Sequence, residues 1–220
     1  YEHPTVTPDD AGAYWVRVTD SVGTRFGAPF FAVWHRWPTA VVGWGDNTNA
    51  QRSSIPADLN TAVALAAGYS HVLALKSDGT VTAWGANNYH QTDVPAGLSD
   101  VVAVAAGYDH SLALTAEGTV VAWGSNSEGE TLGMPVGLTH VAAIAAGGWS
   151  SVAIKTDGTV VRWGSQWASE ANVVAAAVST YSIVVLKADG TVVNFGSYMP
   201  PTDLAGVKAV AAGGYHTLAL

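Results

Sequence analysis

The sequence predicts an all-β protein whose main part is a row of β-propeller blades, and three observations in fixed phase predict it. Trp-Gly recurs almost evenly at Trp44-Gly45, Trp84-Gly85, Trp123-Gly124 and Trp163-Gly164, and Phe195-Gly196 follows after a shorter step. An acidic-Gly pair (Asp78-Gly79, Glu117-Gly118, Asp157-Gly158, Asp189-Gly190) precedes each of the last four aromatic-Gly pairs at an unchanging distance. An Ala-Ala-Gly element ends at Gly68, Gly107, Gly147 and Gly213, at one constant distance before the turn Gly wherever both are present, and Ser179 takes its place in the fourth copy. Self-similarity at a period of about 40 marks a repeat architecture, and three or four short strands per period make a propeller blade.

Each element of the unit has its own signal. Val101–Ala106 is a short apolar run stopped by Gly107. Its small side chains suit strands that crowd towards an axis. His110–Leu114 and Thr119–Trp123 alternate at the strand period. The acidic-Gly pair between them is hairpin chemistry, because Gly takes positive φ without steric cost. Long connections, from Gly85 to Val101 and from Gly124 to Val141, lead to the next unit. The third, Gly164 to Val173, is much shorter and lacks the Val94-Pro95 and Met134-Pro135 steps of its neighbours. No helical period is sustained.

Four complete units therefore span 62–100, 101–140, 141–172 and 173–206, and Val207–Leu220 supplies only the first two strands of a fifth. Val41–Gly45 is the kind of strand that this fifth unit lacks. Two arrangements follow: a blade split between the ends that closes five blades, or a piece of a larger ring of about seven blades. We prefer the second, because the N-terminal part also reads as cut.

That part, residues 1–36, reads as the remnant of an immunoglobulin-like domain plus linker, ahead of the propeller at 40–220. Asp10-Ala11-Gly12-Ala13-Tyr14 is similar to a tyrosine corner, with Val16 where the second Cys of such domains stands. Val16–Gly23 reads as strand and hairpin, Phe30–Trp34 as a last strand, and His35–Pro38 as linker. The alternative is an N-terminal hairpin docked on the propeller.

Composition narrows the function. A net charge of −8 and a pI of about 5.1 argue against nucleic acid or an anionic membrane surface as partner. With no Cys, disulfides and thiolate zinc sites drop out. No apolar run reaches membrane-spanning length. The chain opens on Tyr1 and stops inside a unit, so it reads as a piece of a longer protein, and the lack of a targeting signal in it says nothing about export.

Few residues invite catalysis. His71, His110 and His216 share one repeat position, where Ser150 and Ser182 stand in the other copies. Free exchange with Ser suits a structural hydrogen bond better than a metal site. His3, His35, His90 and His140 have no ligand spacing. The carboxylates Asp78, Glu117, Asp157 and Asp189 fall on separate hairpins, too dispersed for acid–base pairing. Asp46-Asn47-Thr48-Asn49 lacks the calcium-loop spacing and reads as a turn. There is neither a nucleophile elbow nor a phosphate loop. The expectation is a protein that is not an enzyme and needs no cofactor or metal. Trp44, Trp84, Trp123 and Trp163 read as inter-blade core.

One set of positions suggests binding. An aromatic follows each Ala-Ala-Gly turn: Tyr69, Tyr108, Trp149, Tyr181 and Tyr215, beside variable neighbours Ser70, Asp109, Gly148, Thr180 and Gly214. Turns leave the sheet, so these rings should project from one face, where Tyr and Trp serve as contact anchors. Packing against the next blade is the alternative. Asn87, Asn88, Tyr89 and Gln91 could extend the surface. The candidate partner-binding residues are Tyr69, Tyr108, Asp109, Trp149, Tyr181 and Tyr215.

The segment Gly68–Gly85, reading GYSHVLALKSDGTVTAWG, resembles the repeats of the regulator of chromosome condensation family, and the resemblance extends over Val41–Leu220. It implies a propeller, typically of seven blades in that family. Trp84-Gly85-Ala86-Asn87 through Val94-Pro95 is similar to secreted bacterial members, which include an inhibitor of β-lactamase. The resemblance thus implies a non-catalytic protein- or glycan-binding module of a secreted or cell-surface bacterial protein, or alternatively an inhibitor of a hydrolase. The family's nucleotide-exchange activity uses an insert for which no connection here is long enough.

Overall fold

The computed structural model describes residues 17–20, 23–26, 41–43, 45, 47–51, 53–164, 172–178, 182–196, 199–201, 204–212 and 216–220. The chain divides into two compact units, Tyr1–Ala40 and Val41–Leu220. In the first, β1 (Arg17–Asp20) and β2 (Gly23–Phe26) form an antiparallel hairpin with Arg17 opposite Phe26 and Asp20 opposite Gly23. The tyrosine-corner segment Asp10–Tyr14 and the strand expected at Phe30–Trp34 lie outside the described residues.

The second unit is a succession of antiparallel meanders, one per repeat. Blade 1 is β3 (Ala62–Ala67), β4 (His71–Lys76) and β5 (Val81–Gly85). Blade 2 is β6 (Val101–Ala106), β7 (His110–Thr115) and β8 (Val120–Gly124). Blade 3 is β9 (Val141–Gly147), β10 (Ser150–Lys155) and β11 (Val160–Gly164). Blade 4 is β12 (Val173–Val178), β13 (Ser182–Lys187) and β14 (Val192–Gly196). Blade 5 has β15 (Val210–Ala212) and β16 (Thr217–Ala219). In each full blade the middle strand pairs with both neighbours. First strands of successive blades adjoin, β3 beside β6, then β9, β12 and β15, and so form the inner tier. There is no α-helix among the described residues; a 3-10 turn at Leu59–Thr61 precedes blade 1. Residues 41–43 are not in a strand, and Trp44 lies outside the description.

The acidic-Gly pair builds a tight hairpin and a clasp to the next blade. In blade 1 Gly79, at φ +78°, donates to the Lys76 carbonyl (3.0 Å), and Lys76 N–H donates to Thr80 O (2.9 Å). Asp78 Oδ1 accepts from Thr80 N–H (2.9 Å) and Oγ–H (2.6 Å). Bonds from the threonine two positions on hold the carboxyls of Asp78, Asp157 and Asp189 below the usual carboxylate range. The carbonyls of Gly79, Gly118, Gly158 and Gly190 then accept from Val101, Val141, Val173 and Val207, which open the next first strand or the run into it. Just before those valines stand Asp100, His140, Asn172 and Gly206, all at positive φ. Asp, His, Asn and Gly are the residue types that tolerate this backbone. His140 thus has a conformational reason for its place. One position into each first strand the register slips, leaving Val63, Val102, Ala142 and Val174 as exposed β-bulges.

The core lies between blades. Leu73 and Leu75 of blade 1 pack with Val101, Ala106, Ala113 and Trp123 of blade 2. Leu112, Leu114 and Val120 pack with Val141, Ala153 and Trp163, and Val152, Ile154 and Val160 with Val173, Ile183 and Val185. Trp84 closes the same contact with Leu59, Ala74 and Val41. Tryptophan at these sites is inter-blade core, as expected. Each indole also donates backwards: Trp84 to Gln51 O (2.7 Å), Trp123 to Gln91 O (3.0 Å), Trp163 to Glu130 O (2.7 Å). Phe195 fills the equivalent place in blade 4 without a donor. Trp123→Phe should therefore keep most packing and lose one hydrogen bond, a cost of about 1–2 kcal/mol in urea unfolding.

Candidate partner-binding site

Register places the two kinds of loop at opposite ends of every sheet. His71 faces Gly85, His110 faces Gly124 and Ser150 faces Gly164. The Ala-Ala-Gly turns and the starts of the long connections therefore share one end, and the acidic-Gly hairpins occupy the other.

Three layers of polar and aromatic structure build the first end. The deepest runs from blade to blade: His71 Nε2 lies 3.0 Å from Ser111 Oγ, which donates to Gln91 O at 2.8 Å. His110 Nε2 repeats this with Ser151 Oγ (3.0 Å), which donates to Glu130 O (3.2 Å). Because each serine spends its proton on a carbonyl, each histidine must present Nε2–H, the neutral tautomer. Burial, with His110 nearby, lowers His71 to about 4, and burial lowers His110 likewise to about 4. Both imidazoles are engaged in hydrogen bonds from blade to blade. The Gly of Ala-Ala-Gly belongs to the same layer. A Cβ on Gly107 would stand 2.7 Å from His110 Nε2, and one on Gly68 would meet the His71 ring and Gly107 O.

The second layer braces the long connections. Asn87 Oδ1 accepts from Thr92 N–H (3.0 Å), Asn126 Oδ1 from Leu132 N–H (2.7 Å) and Asn47 Oδ1 from Ser53 N–H (3.0 Å). The turn expected around Asn47 is thus held by its own side chain. Gln51, Gln91 and Glu130 accept from Asn49, Tyr89 and Glu128 N–H. Gln91 is fully buried, which corrects its assignment to an extended surface: its carbonyl and side chain are consumed holding Ser111, Trp123 and Asp109. Tyr89 remains exposed. The Asn-to-Gln spacing was the available signal for this brace, and sequence reasoning missed it.

The third layer is the aromatic one. Tyr69 N–H donates to Gly107 O (3.2 Å) and Tyr108 N–H to Gly148 O (2.9 Å), so each turn is tied to the next. Tyr69 stacks on Tyr108 at 4.2 Å between centroids, and Tyr108 on Trp149 at 5.1 Å with the planes 2° apart. Gly148, at φ +50°, takes the repeat position of Tyr108, and Trp149 follows immediately after it. The left-handed residue lets the shifted ring join the row. Tyr69 is 68% exposed and Trp149 38%, so the row lies on the surface rather than in the inter-blade core. Tyr181 and Tyr215 lie outside the described residues.

Asp109 adjoins this row, half-buried, and accepts from Gln91 Nε2 (3.1 Å). Burial, and then the Glu130 carboxylate, push its carboxyl above the usual value. Glu130 itself is buried and accepts from Ser127 Oγ (3.2 Å) and Glu128 N–H (2.8 Å). The same end of the blades thus carries a stacked aromatic surface and two carboxyl groups, Asp109 and Glu130. Stacking and ion pairing are the chemistry it supports.

Meanders clasped through hairpin carbonyls and indole donors define a repeat β-propeller. Its first two blades match the family model for the Regulator of chromosome condensation (RCC1) repeat, over residues 62–91 and 101–130. Among solved structures it is similar to the ectodomain of the Physcomitrella patens receptor kinase CR4, at 24% identity and TM-score 0.66, covering 79% of this chain and 51% of that one. It is similar also to human WBSCR16, at 22% identity and TM-score 0.63, covering 80% and 68%. Prp20p of Saccharomyces cerevisiae shows 16% identity and TM-score 0.60, covering 94% and 63%. The chain spans about half the length of the CR4 ectodomain chain. No curated protein matches it in sequence. At these identities the likeness concerns the fold.

Proposed function

We propose that this propeller is a non-catalytic binding module of a secreted or cell-surface bacterial protein, and that its partner docks on the Ala-Ala-Gly end. The observation that carries this is the exposed row Tyr69–Tyr108–Trp149. Stacked rings are held rigid before binding, so little conformational entropy is lost on contact. The buried His–Ser and Asn–Gln layers beneath fix the turns that carry them. A protein partner is favoured over a glycan, since relatives of this architecture bind proteins: Prp20p is reported with binding to Gsp1p and histones, and yeast RCC1 is seen with Kap60 bound. The secreted bacterial setting rests on the Trp-Gly-x-Asn and Val-Pro pattern and on the immunoglobulin-like reading of the N-terminal segment. The test is the triple variant Tyr69→Ala, Tyr108→Ala, Trp149→Ala. Its thermal midpoint should stay within about 4 °C of wild type, while affinity capture of the partner held by wild type should be lost. A collapse of the midpoint would assign the rings to packing.

A further inference from the structure

The two ends of the blades differ in charge as well as in loops. Every lysine of the chain, Lys76, Lys155, Lys187 and Lys208, lies at the hairpin end, on the last residue of a middle strand or just ahead of a first strand. There Lys76 pairs with Asp58 (3.3 Å) and Lys155 with Asp157 (3.6 Å). Among the described residues the opposite end has neither Lys nor Arg in its turns or connections, while Arg162 sits within β11 over the Phe195 ring. That end carries Asp109, Glu128 and the buried Glu130 instead, together with Asp93, which is held by His90 and Asn87. Among the described residues the aromatic row therefore shares its end of the blades with carboxylates and with neither Lys nor Arg, on a chain of net charge −8. Ring faces are negative, and the outer face of Tyr69, at the exposed end of the stack, is not covered by Tyr108, so this face and the carboxylates attract the same kind of group.

We infer that the partner is a protein that presents an arginine-bearing cationic segment to this face, with guanidinium groups lying against the Tyr69–Tyr108–Trp149 row and pairing with Asp109. This rests on the reading of the row as the docking surface. Guanidinium fits because it is planar, stacks on aromatic rings and forks onto a carboxylate, whereas ammonium is a compact, strongly hydrated point charge. Asp109 is the carboxylate placed for it: it borders Tyr108 in the chain, and the bond from Gln91 falls on Oδ1, which leaves acceptor capacity on the group.

The probe is a fluorescent octa-arginine peptide, titrated into the full chain at two salt concentrations. Wild type should bind it, about ten-fold more tightly at low salt than at physiological salt. Asp109→Asn, which keeps an oxygen to accept from Gln91, and Glu128→Gln should each weaken binding several-fold while the thermal midpoint holds. Asp189→Asn, at the hairpin end, should bind as wild type does. Octa-lysine should bind more weakly than octa-arginine. The inference is overturned if octa-arginine does not bind, if Asp109→Asn binds it unchanged, if Asp189→Asn weakens it equally (general acidity), or if octa-lysine binds as well. Should the triple aromatic variant lose its captured partner while octa-arginine fails to bind wild type, the docking surface stands and only the cationic chemistry falls.

Discussion

Gly107→Ala is expected to destabilise the protein by about 3 kcal/mol, and His110→Ser is expected to restore much of that loss. Gly107 does not sit at positive φ, so any residue could adopt its backbone and the penalty is steric. The added methyl would enter the His110 ring, 2.7 Å from Nε2. The ring cannot yield, because Nε2 is tied to Ser151 Oγ, which is tied to Glu130 O. Interiors packed to crystal density answer such an insertion with strain rather than a small shift. Serine in place of His110 removes the obstacle. The molecule already contains that solution: in blade 4 Ser179 stands where the glycine would be and Ser182 where the histidine would be. Urea unfolding of wild type, both single variants and the double variant yields the coupling energy directly. Additive single effects would show that the ring and the glycine do not share space.

Acid should unfold the protein earlier than its carboxylates alone dictate. Both His71 and His110 have native pKa values of about 4, against 6.5 for the ordinary side chain. A lowered histidine pKa means that the folded state prefers the neutral ring. Above pH 6.5 both states are neutral and stability is complete. Below it the unfolded chain takes up protons that the folded chain refuses until about pH 4. Stability should therefore fall across that window, by roughly 1.4 kcal/mol per pH unit for each histidine at full effect. Asp109 opposes the trend weakly, since its raised carboxyl is relieved by protonation. Urea midpoints measured from about pH 7 to about pH 4.5 check this. The double variant His71→Ser, His110→Ser should show a flatter profile, and an equally steep one would place the acid sensitivity elsewhere.

The strands were legible because the repeat delimits them chemically. The runs expected at Val101–Ala106, His110–Leu114 and Thr119–Trp123 are β6, β7 and β8 within a residue at each end. Gly107 and the Glu117-Gly118 pair bound those runs locally, so no distant partner was needed to find them. The hairpin role of the acidic residues was legible for the same reason. What escaped was every role that depends on a backbone carbonyl far along the chain. Gln91 reads as a polar loop residue, yet its carbonyl receives Ser111 and Trp123 from the next blade. The bulges at Val63 and Val102 escaped too, because their apolar side chains match the run they interrupt. Of the five aromatics, Tyr69, Tyr108 and Trp149 form one row. The one-residue slip between Tyr108 and Trp149 was visible as well, but only the left-handed Gly148 explains how both rings enter one stack.

The buried His–Ser contacts carry a last consequence, for how far the blades are interchangeable. Their clasps are alike: a glycine carbonyl on one blade and a valine amide on the next. By that criterion any blade could follow any other. The imidazoles forbid it. His71 meets Ser111 and His110 meets Ser151, while Ser150 is followed by Ile183 at the corresponding place. Splicing blade 2 directly ahead of blade 4 would set a buried imidazole N–H against an isoleucine. A histidine-bearing blade thus needs a successor with serine at that place, a condition that blades 2 and 3 meet and blade 4 does not. Shuffling, duplication or deletion of blades is constrained by this grammar of neighbours more than by their common shape.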